Sequence, residues 1–268
     1  MMTLRACVQR YRLTLGGQHV WAPYWLNSAE APFWLDAPLR GKGSAVELGR
    51  AARAAARAAG ARPVTPEDWR TLMRQHGLGI DCSGFAFHVL SDWLAEAYGV
   101  VLAEHLVVPA SEVRDRNRRH PELAERWRVA GGGAVTGSVT LAQACRMWQI
   151  DAAPIVGVRR LVDPAVVVAV SEVGLAQPGD LIAMSHDGSE HIGVVVRAQP
   201  GLLTYADSAH DRHGLGGVSW RYVAVDQPKG DLGQQSWGQK KFYHPEQPGS
   251  RDGLWRLRIL AQLTAGRA

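Results

Sequence analysis

Cysteine is scarce: three residues, Cys7, Cys82 and Cys145, stand far apart in 268 positions. An odd, scattered set offers no disulfide framework and suits a reducing interior. None belongs to a Cys-x-x-Cys pair and no His-Glu-x-x-His run occurs, so the common zinc arrangements are not expected. P-loop and dinucleotide fingerprints are missing too, and the 29 glycines therefore report turns, not phosphate cradles. No apolar run is long enough to span a bilayer; the valine-rich 166–170 reads as a core strand or its approach. Residues 1–17 carry charges and no uninterrupted apolar segment of secretory type, so no signal peptide is expected. Positive charge is modest (+5) and dispersed, which argues against nucleic acid as a partner. The most basic spot, Arg116-Asn117-Arg118-Arg119, lies among Glu112, Asp115 and Glu122 and reads as a solvated helical face.

What is present is apolar text in quantity: 46% hydrophobic residues, enough for a substantial core in one elaborated domain covering 1–268. The first forty residues are rich in Trp and Pro (Trp21, Pro23, Tyr24, Trp25, Phe33, Trp34, Pro38) and predict extended segments packed on the domain. Ser44-Ala45-Val46-Glu47 has the form of a capping box and introduces an alanine-rich helix ending near Gly60. Thr65-Pro66-Glu67-Asp68 starts another, with Trp69, Leu72 and Met73 toward the core. Arg40-Gly41-Lys42-Gly43, just before the first of these, has the makings of an anion site, with a surface turn as the plainer reading.

The most informative run is Gly79-Ile80-Asp81-Cys82-Ser83-Gly84-Phe85. Ala86, Val89, Leu90, Trp93 and Leu94 follow it at i, i+3, i+4, i+7 and i+8, the pattern of a helix with one buried face. Cys82 then sits at or before the first turn, where unpaired N–H groups and the positive end of the helix dipole favour a thiolate. Cys7 and Cys145 lack such surroundings and read as small buried hydrophobes. Asp81 is placed to cap the helix, Gly84 leaves room for close backbone approach, and the Cys82 N–H can help hold an oxyanion.

A thiolate nucleophile needs a base from elsewhere. Pro178-Gly179-Asp180 marks a turn, 181–184 is a short apolar strand, 185–189 a polar connection, and Glu190-His191-Ile192-Gly193-Val194-Val195-Val196 opens a second strand. Alternation puts His191, Gly193 and Val195 on one face and Ile192, Val194 and Val196 on the other, with Gly193 leaving space beside the imidazole. His186, His210 and His213 lie in polar, loop-like text.

These two blocks, Asp81-Cys82-Ser83-Gly84-Phe85 and Pro178-Gly179-Asp180-Leu181 with His191-Ile192-Gly193-Val194, resemble the NlpC-type cysteine peptidases. The resemblance covers 82–94 and 177–218. It implies an α+β, papain-like fold, with the Cys82 helix packed on an antiparallel sheet, and hydrolysis of amide bonds in peptide stems of bacterial cell wall or related small peptides. It implies Cys82 as nucleophile, His191 as base, and a polar third residue on the following strand, for which Asp207 is the choice, His210 the runner-up and the helix-capping Asp81 a second-rank rival. Pro23-Tyr24 resembles the family's cleft-lining pair, so Tyr24, with Asp81 and Ser83, is a candidate substrate contact. No cofactor or metal is expected, and a monomer is. A catalytically silent wall-fragment binder and a thiol acyltransferase remain open as alternatives, and the compartment is open between cytoplasm and signal-less export.

The long interval between Cys82 and His191 implies an insertion at about 100–172, beside an N-terminal elaboration at about 1–64. Its text runs from Ser111 through Pro121 to Arg128, then a turn at Gly131-Gly132-Gly133 and an amphipathic stretch at 141–150; a helical lid over the cleft is one role for it. A C-terminal strand is expected near 254–260, and Trp220, Tyr222, Trp237 and Tyr243 are expected to line a groove or to pack.

Overall fold

Thr3 accepts a hydrogen bond from the Ala6 N–H and so starts a six-residue helix, α1 (Leu4–Gln9). It belongs to a computed structural model that describes residues 2–25, 37–186, 189–210 and 216–265, with His186 described by its backbone alone. Phe33, Trp34, His213 and residues 187–188 of the polar connection lie outside these. After α1 a hairpin, β1 (Arg12–Leu15) and β2 (Gln18–Trp21), turns through Gly16 and Gly17, both at positive φ. The expected extended N-terminal text thus contains a helix, which at six residues is too short to display a helical period.

Both expected capping boxes form. Ser44 and Glu47 close the start of α2 (Ala45–Ala58), and Thr65 and Asp68 close that of α3 (Pro66–Gln75), whose Trp69, Leu72 and Met73 are buried. The helix that opens on Cys82, α4 (Cys82–Tyr98), ends at Gly99 with φ +69°. Its predicted face, Ala86, Val89, Leu90, Trp93 and Leu94, is buried, as are Phe85 and Phe87.

The segment 100–172 is largely helical. A two-strand ladder of β3 (Val107–Val108) brackets α5 (Ala110–Arg119) and α6 (Pro121–Val129) with β4 (Val139–Thr140), followed by α7 (Leu141–Trp148) and a short α8 (Val158–Leu161). Trp127 and Trp148 anchor this unit, their ring centroids 5.6 Å apart. The expected solvated face at 116–119 divides in two. Arg118 and Arg119 pair with Asp115 at the surface, whereas Asn117 accepts the Trp148 indole N–H at 2.7 Å and the Arg116 guanidinium lies 5.5 Å from the Trp148 ring. Helical spacing alone turns neighbouring residues to different sides.

The main sheet is built from β5 (Val167–Ala169), β6 (Leu181–His186), β7 (Ser189–Gln199), β8 (Leu202–Ala209), β9 (Gly217–Ala224), β10 (Ser236–Trp237) and β11 (Gly253–Leu257), before the last helix, α9 (Arg258–Ala265). Its antiparallel order is β10-β9-β8-β7-β6-β11-β5, which makes the protein α+β. The C-terminal strand is therefore interior, held between β6 and β5, and stops at Leu257; Leu260 belongs to α9, a correction to the expected 254–260 strand. Arg256 on β11 clasps Asp180 of the Pro-Gly-Asp turn through two 2.8 Å hydrogen bonds.

Alternation in β7 divides its side chains between two cores. Ile192, Val194 and Val196 join the larger one with Phe85, Val89 and Leu90 of α4, which packs on β7 and β8. Val195 joins Ile182, Met184, Leu203 and Tyr205 in a smaller core closed by Leu232, Trp237 and Tyr243. Each of these buried aliphatic side chains contributes roughly 1.5–3 kcal/mol, and losing register by one residue would exchange the two sets. Trp237 and Tyr243 thus pack inside, Trp220 lies near Arg5, and Tyr222 is exposed. Among the described residues no helix is long and apolar enough to cross a membrane.

Candidate functional site

The site begins with how α4 starts. Asp81 is extended (φ −83°, ψ 173°), and its carboxylate accepts the Gly84 N–H at 2.6 Å while its carbonyl accepts the Phe85 N–H at 3.0 Å. Cys82 is then the first helical residue, and it is buried to 7% exposure. A buried carboxylate needs a counter-charge. Lys42 supplies it from 39 residues away: its ammonium, 2% exposed, lies 2.9 and 2.8 Å from the two Asp81 oxygens and also donates to Ser83 Oγ (2.5 Å) and the Val156 carbonyl (2.7 Å). Those contacts use every proton the ammonium has.

Residues 40–43 are therefore no surface turn. Gly41 accepts the Asp81 N–H at 2.8 Å, and a Cβ on Gly84 would stand 2.7 Å from the Gly41 oxygen, so only glycine lets this segment lie on the helix start. His88, one turn further along, faces the Lys42 carbonyl at 2.7 Å; burial holds it below its usual value, so the neutral ring donates there. Asp81 and Ser83, expected as substrate contacts, have their polar side-chain atoms committed to this buried network. Their place is to hold the helix start in position.

The second half comes from the sheet. Gly193 on β7 pairs with Asp207 on β8, which puts His191, two residues back on the same face, diagonally across from the carboxylate. His191 Nε2 donates to Asp207 Oδ2 at 2.9 Å, which leaves Nδ1 as the ring's other polar atom, and the Cys82 thiol stands 4.0 Å from the carbonyl of Glu190, the residue before His191, close enough to act on the imidazole. Burial opposes protonation of His191. The hydrogen bonds and charges of Asp207 and Cys82 outweigh it, and the imidazole is pushed up to about 10. On this balance the imidazole keeps its proton well above its ordinary value.

Asp207 is fully buried and would ordinarily be hard to ionise. Burial raises its value, but His191 and Arg221 together hold it below the usual carboxylate range. Arg221 Nε lies 2.7 and 3.0 Å from its two oxygens, and Ser219 Oγ donates at 2.9 Å. Both donors come from β9, two residues apart on one face. His210, the other candidate for the third position, is exposed and stacks edge-on against Tyr24 with centroids 5.9 Å apart.

Tyr24 reaches the site through backbone pairing. Its N–H donates to Gly216, Ile80 donates to Pro23, and Tyr24 bridges Ile80 in parallel fashion, two residues before Cys82. Burial, then the charges of Cys82 and Asp81, push its phenol above its ordinary value, so it stays a neutral hydroxyl. On the other side, Arg159 of α8 pairs with Glu190 at 2.6 Å, so α8 borders the start of the His191 strand. Gly193 leaves its space to Tyr205: a Cβ there would stand 2.6 Å from that ring.

Cys7 and Cys145 provide the contrast. Both are buried, and burial pushes each up to about 11, which keeps them as thiols. No group of three or more His, Cys, Asp or Glu placed to hold a metal ion is found among the described residues.

Lys42, Ser219 and Arg221 complete the site without having been singled out for it. For the pair on β9 a signal exists in Ser219-Trp220-Arg221-Tyr222, where polar residues alternate with aromatic ones at strand period. Lys42 between two glycines carries no comparable mark, because its partner is 39 residues away. Comparison with family models, with curated proteins and with solved structures found no match.

Proposed function

We propose that this chain is a cysteine hydrolase of papain-like, NlpC type that cleaves amide bonds in small peptides, the stem peptides of bacterial cell wall being the substrate its motifs resemble. One observation carries the reading: the thiol at the first turn of α4 stands beside an imidazole that a buried, arginine-held carboxylate grips from the other side. That is the order of groups an acyl transfer through sulfur requires.

In the reaction His191 holds the proton taken from Cys82, and the thiolate attacks the amide carbonyl. The Cys82 N–H, a first-turn amide with no acceptor within the helix, is the donor for the developing oxyanion. The tetrahedral intermediate collapses as His191 passes its proton to the departing amine, leaving a thioester on Cys82. Water then attacks that thioester, giving its proton to His191, and release of the acid restores the thiol. Asp207 stays ionised throughout, fixing the ring so that one nitrogen always faces the sulfur.

The test is Cys82→Ala assayed on a panel of stem-type peptides, with folding checked by circular dichroism and thiol labelling followed in parallel. Turnover and selective labelling at this position should vanish with the fold retained. Undiminished turnover in the variant removes the assignment.

A further inference from the structure

Cys82 and His191 stand on different elements, α4 and β7, and a misplacement of about 1 Å between reacting groups can cost on the order of 10²-fold in rate. The short helix α8 packs on both elements. Its approach is fastened to the start of α4: the Val156 carbonyl accepts from Lys42 Nζ at 2.7 Å and from Ser83 Oγ, one residue past Cys82, at 3.2 Å. The body of α8 is fastened as well. Arg160, 9% exposed, donates to the Ile155 and Val107 carbonyls and pairs with Glu112 at 2.6 Å.

Arg159 turns a different way, as adjacent helical positions do, and its Nε donates to Glu190 Oε1 at 2.6 Å. Glu190 immediately precedes His191 on β7, and its carbonyl stands 4.0 Å from Cys82 Sγ. Residues 156–159 therefore bridge the two halves of the site, from the residue after the cysteine to the residue before the histidine. The two ends of this bridge differ. Val156 lies in the buried network of Lys42, Asp81 and Ser83, whereas the Arg159 and Glu190 side chains are 75% and 31% exposed. A pair so open to water adds little to global stability and is weakened by salt, so it can be removed from the folded protein.

We infer that Arg159 is a positioning residue for the cysteine chemistry: through Glu190 it completes a brace, Val156 to Arg159, that holds the His191 strand against the Cys82 helix. This rests on the thiol reaction proposed above. The size of the effect follows from the exposure, since an exposed ion pair shifts the population of the aligned arrangement by no more than about fivefold.

The experiment compares the full chain with Arg159→Met, Arg159→Lys, Glu190→Ala and the Arg159→Met/Glu190→Ala double variant, with Arg118→Gln as a control for loss of an exposed charge. Arg159→Met and Glu190→Ala should each lower kcat on a stem-type peptide about two- to fivefold, with KM unchanged and the Tm within about 2 °C of wild type. The double variant should be no slower than the slower single, Arg159→Lys should recover most of the loss, and Arg118→Gln should match wild type. Raising salt from about 0.05 to about 0.5 M should lower the wild-type kcat toward that of Arg159→Met, whose own rate stays put. A KM rise at unchanged kcat would make Arg159 a substrate contact; that result, a wild-type kcat in Arg159→Met, or losses that add in the double variant overturns the inference. Should wild type turn over no peptide of the panel, the hydrolase reading fails separately, and the rate of iodoacetamide alkylation at Cys82, followed by mass spectrometry, decides the brace: two- to fivefold slower in Arg159→Met supports it, and an equal rate overturns it.

Discussion

Replacing Lys42 by methionine should cost the protein about 3–5 kcal/mol, the range for leaving one member of a buried ion pair without its partner. The structure places the pair in that class: Lys42 and Asp81 side chains are 2% and 8% exposed, and the nitrogen lies 2.8 Å from the nearer oxygen. Methionine fills a similar volume, so little of the loss comes from a cavity. At about 2–4 °C per kcal/mol for a chain of nearly this size, the Tm should fall by roughly 6–20 °C. Asp81→Asn keeps a good cap for the Gly84 N–H but strands the ammonium, and should also destabilise. The double variant removes both charges. Its Ser83 hydroxyl still reaches the Val156 carbonyl at 3.2 Å, so it should recover about 2–3 kcal/mol relative to the sum of the singles. Urea unfolding of the four proteins measures that coupling. If the double variant simply loses the sum of the two single costs, the network is not the linked unit described here.

Asp207→Asn should lower turnover about 10²- to 10⁴-fold with substrate binding little changed, because the ring loses its anionic anchor; steady-state kinetics on a peptide substrate checks it. Arg221→Gln leaves the Asp207 carboxylate buried with fewer donors, so the alkaline limit of activity should move, as a pH–rate profile reads. The pH dependence has a definite sign. His191 is raised from 6.5 to about 10, so its stabilising contribution is full below the unfolded value and is lost as pH rises through about 10, where turnover should fall with it. Asp207 is depressed, so its contribution is present above the ordinary carboxylate value and is lost as pH falls through its folded one; pH-dependent unfolding shows both limbs. Gly193→Ala drives a methyl to 2.6 Å from the buried Tyr205 ring and should destabilise by about 1–3 kcal/mol, read from the urea midpoint.

Local pattern was sufficient wherever the partners are close in the chain. The capping boxes at Ser44 and Thr65, the buried stripe of α4, and the alternation of β7 are all settled by neighbours a few residues apart, and all appear as expected. Strand β11 shows the limit. Its apolar residues mark a strand, yet its position between β6 and β5 depends on hydrogen bonds to segments far earlier in the chain. At 116–119 charge composition suggests a wet face, and only packing against Trp148 decides which of those residues turn inward.

The candidate site divides along the same line. Sequence by itself determined that Cys82 opens a helix behind an aspartate cap and that His191 enters a strand followed by a glycine, because propensity and period are properties of short windows. Only the tertiary structure decided that Asp207 and not His210 grips the imidazole, that Arg221 grips Asp207, and that Lys42 is sealed beneath the helix start. Charges inside a protein are matched by whichever group the fold brings within a few ångströms, and that proximity is set by how distant segments pack.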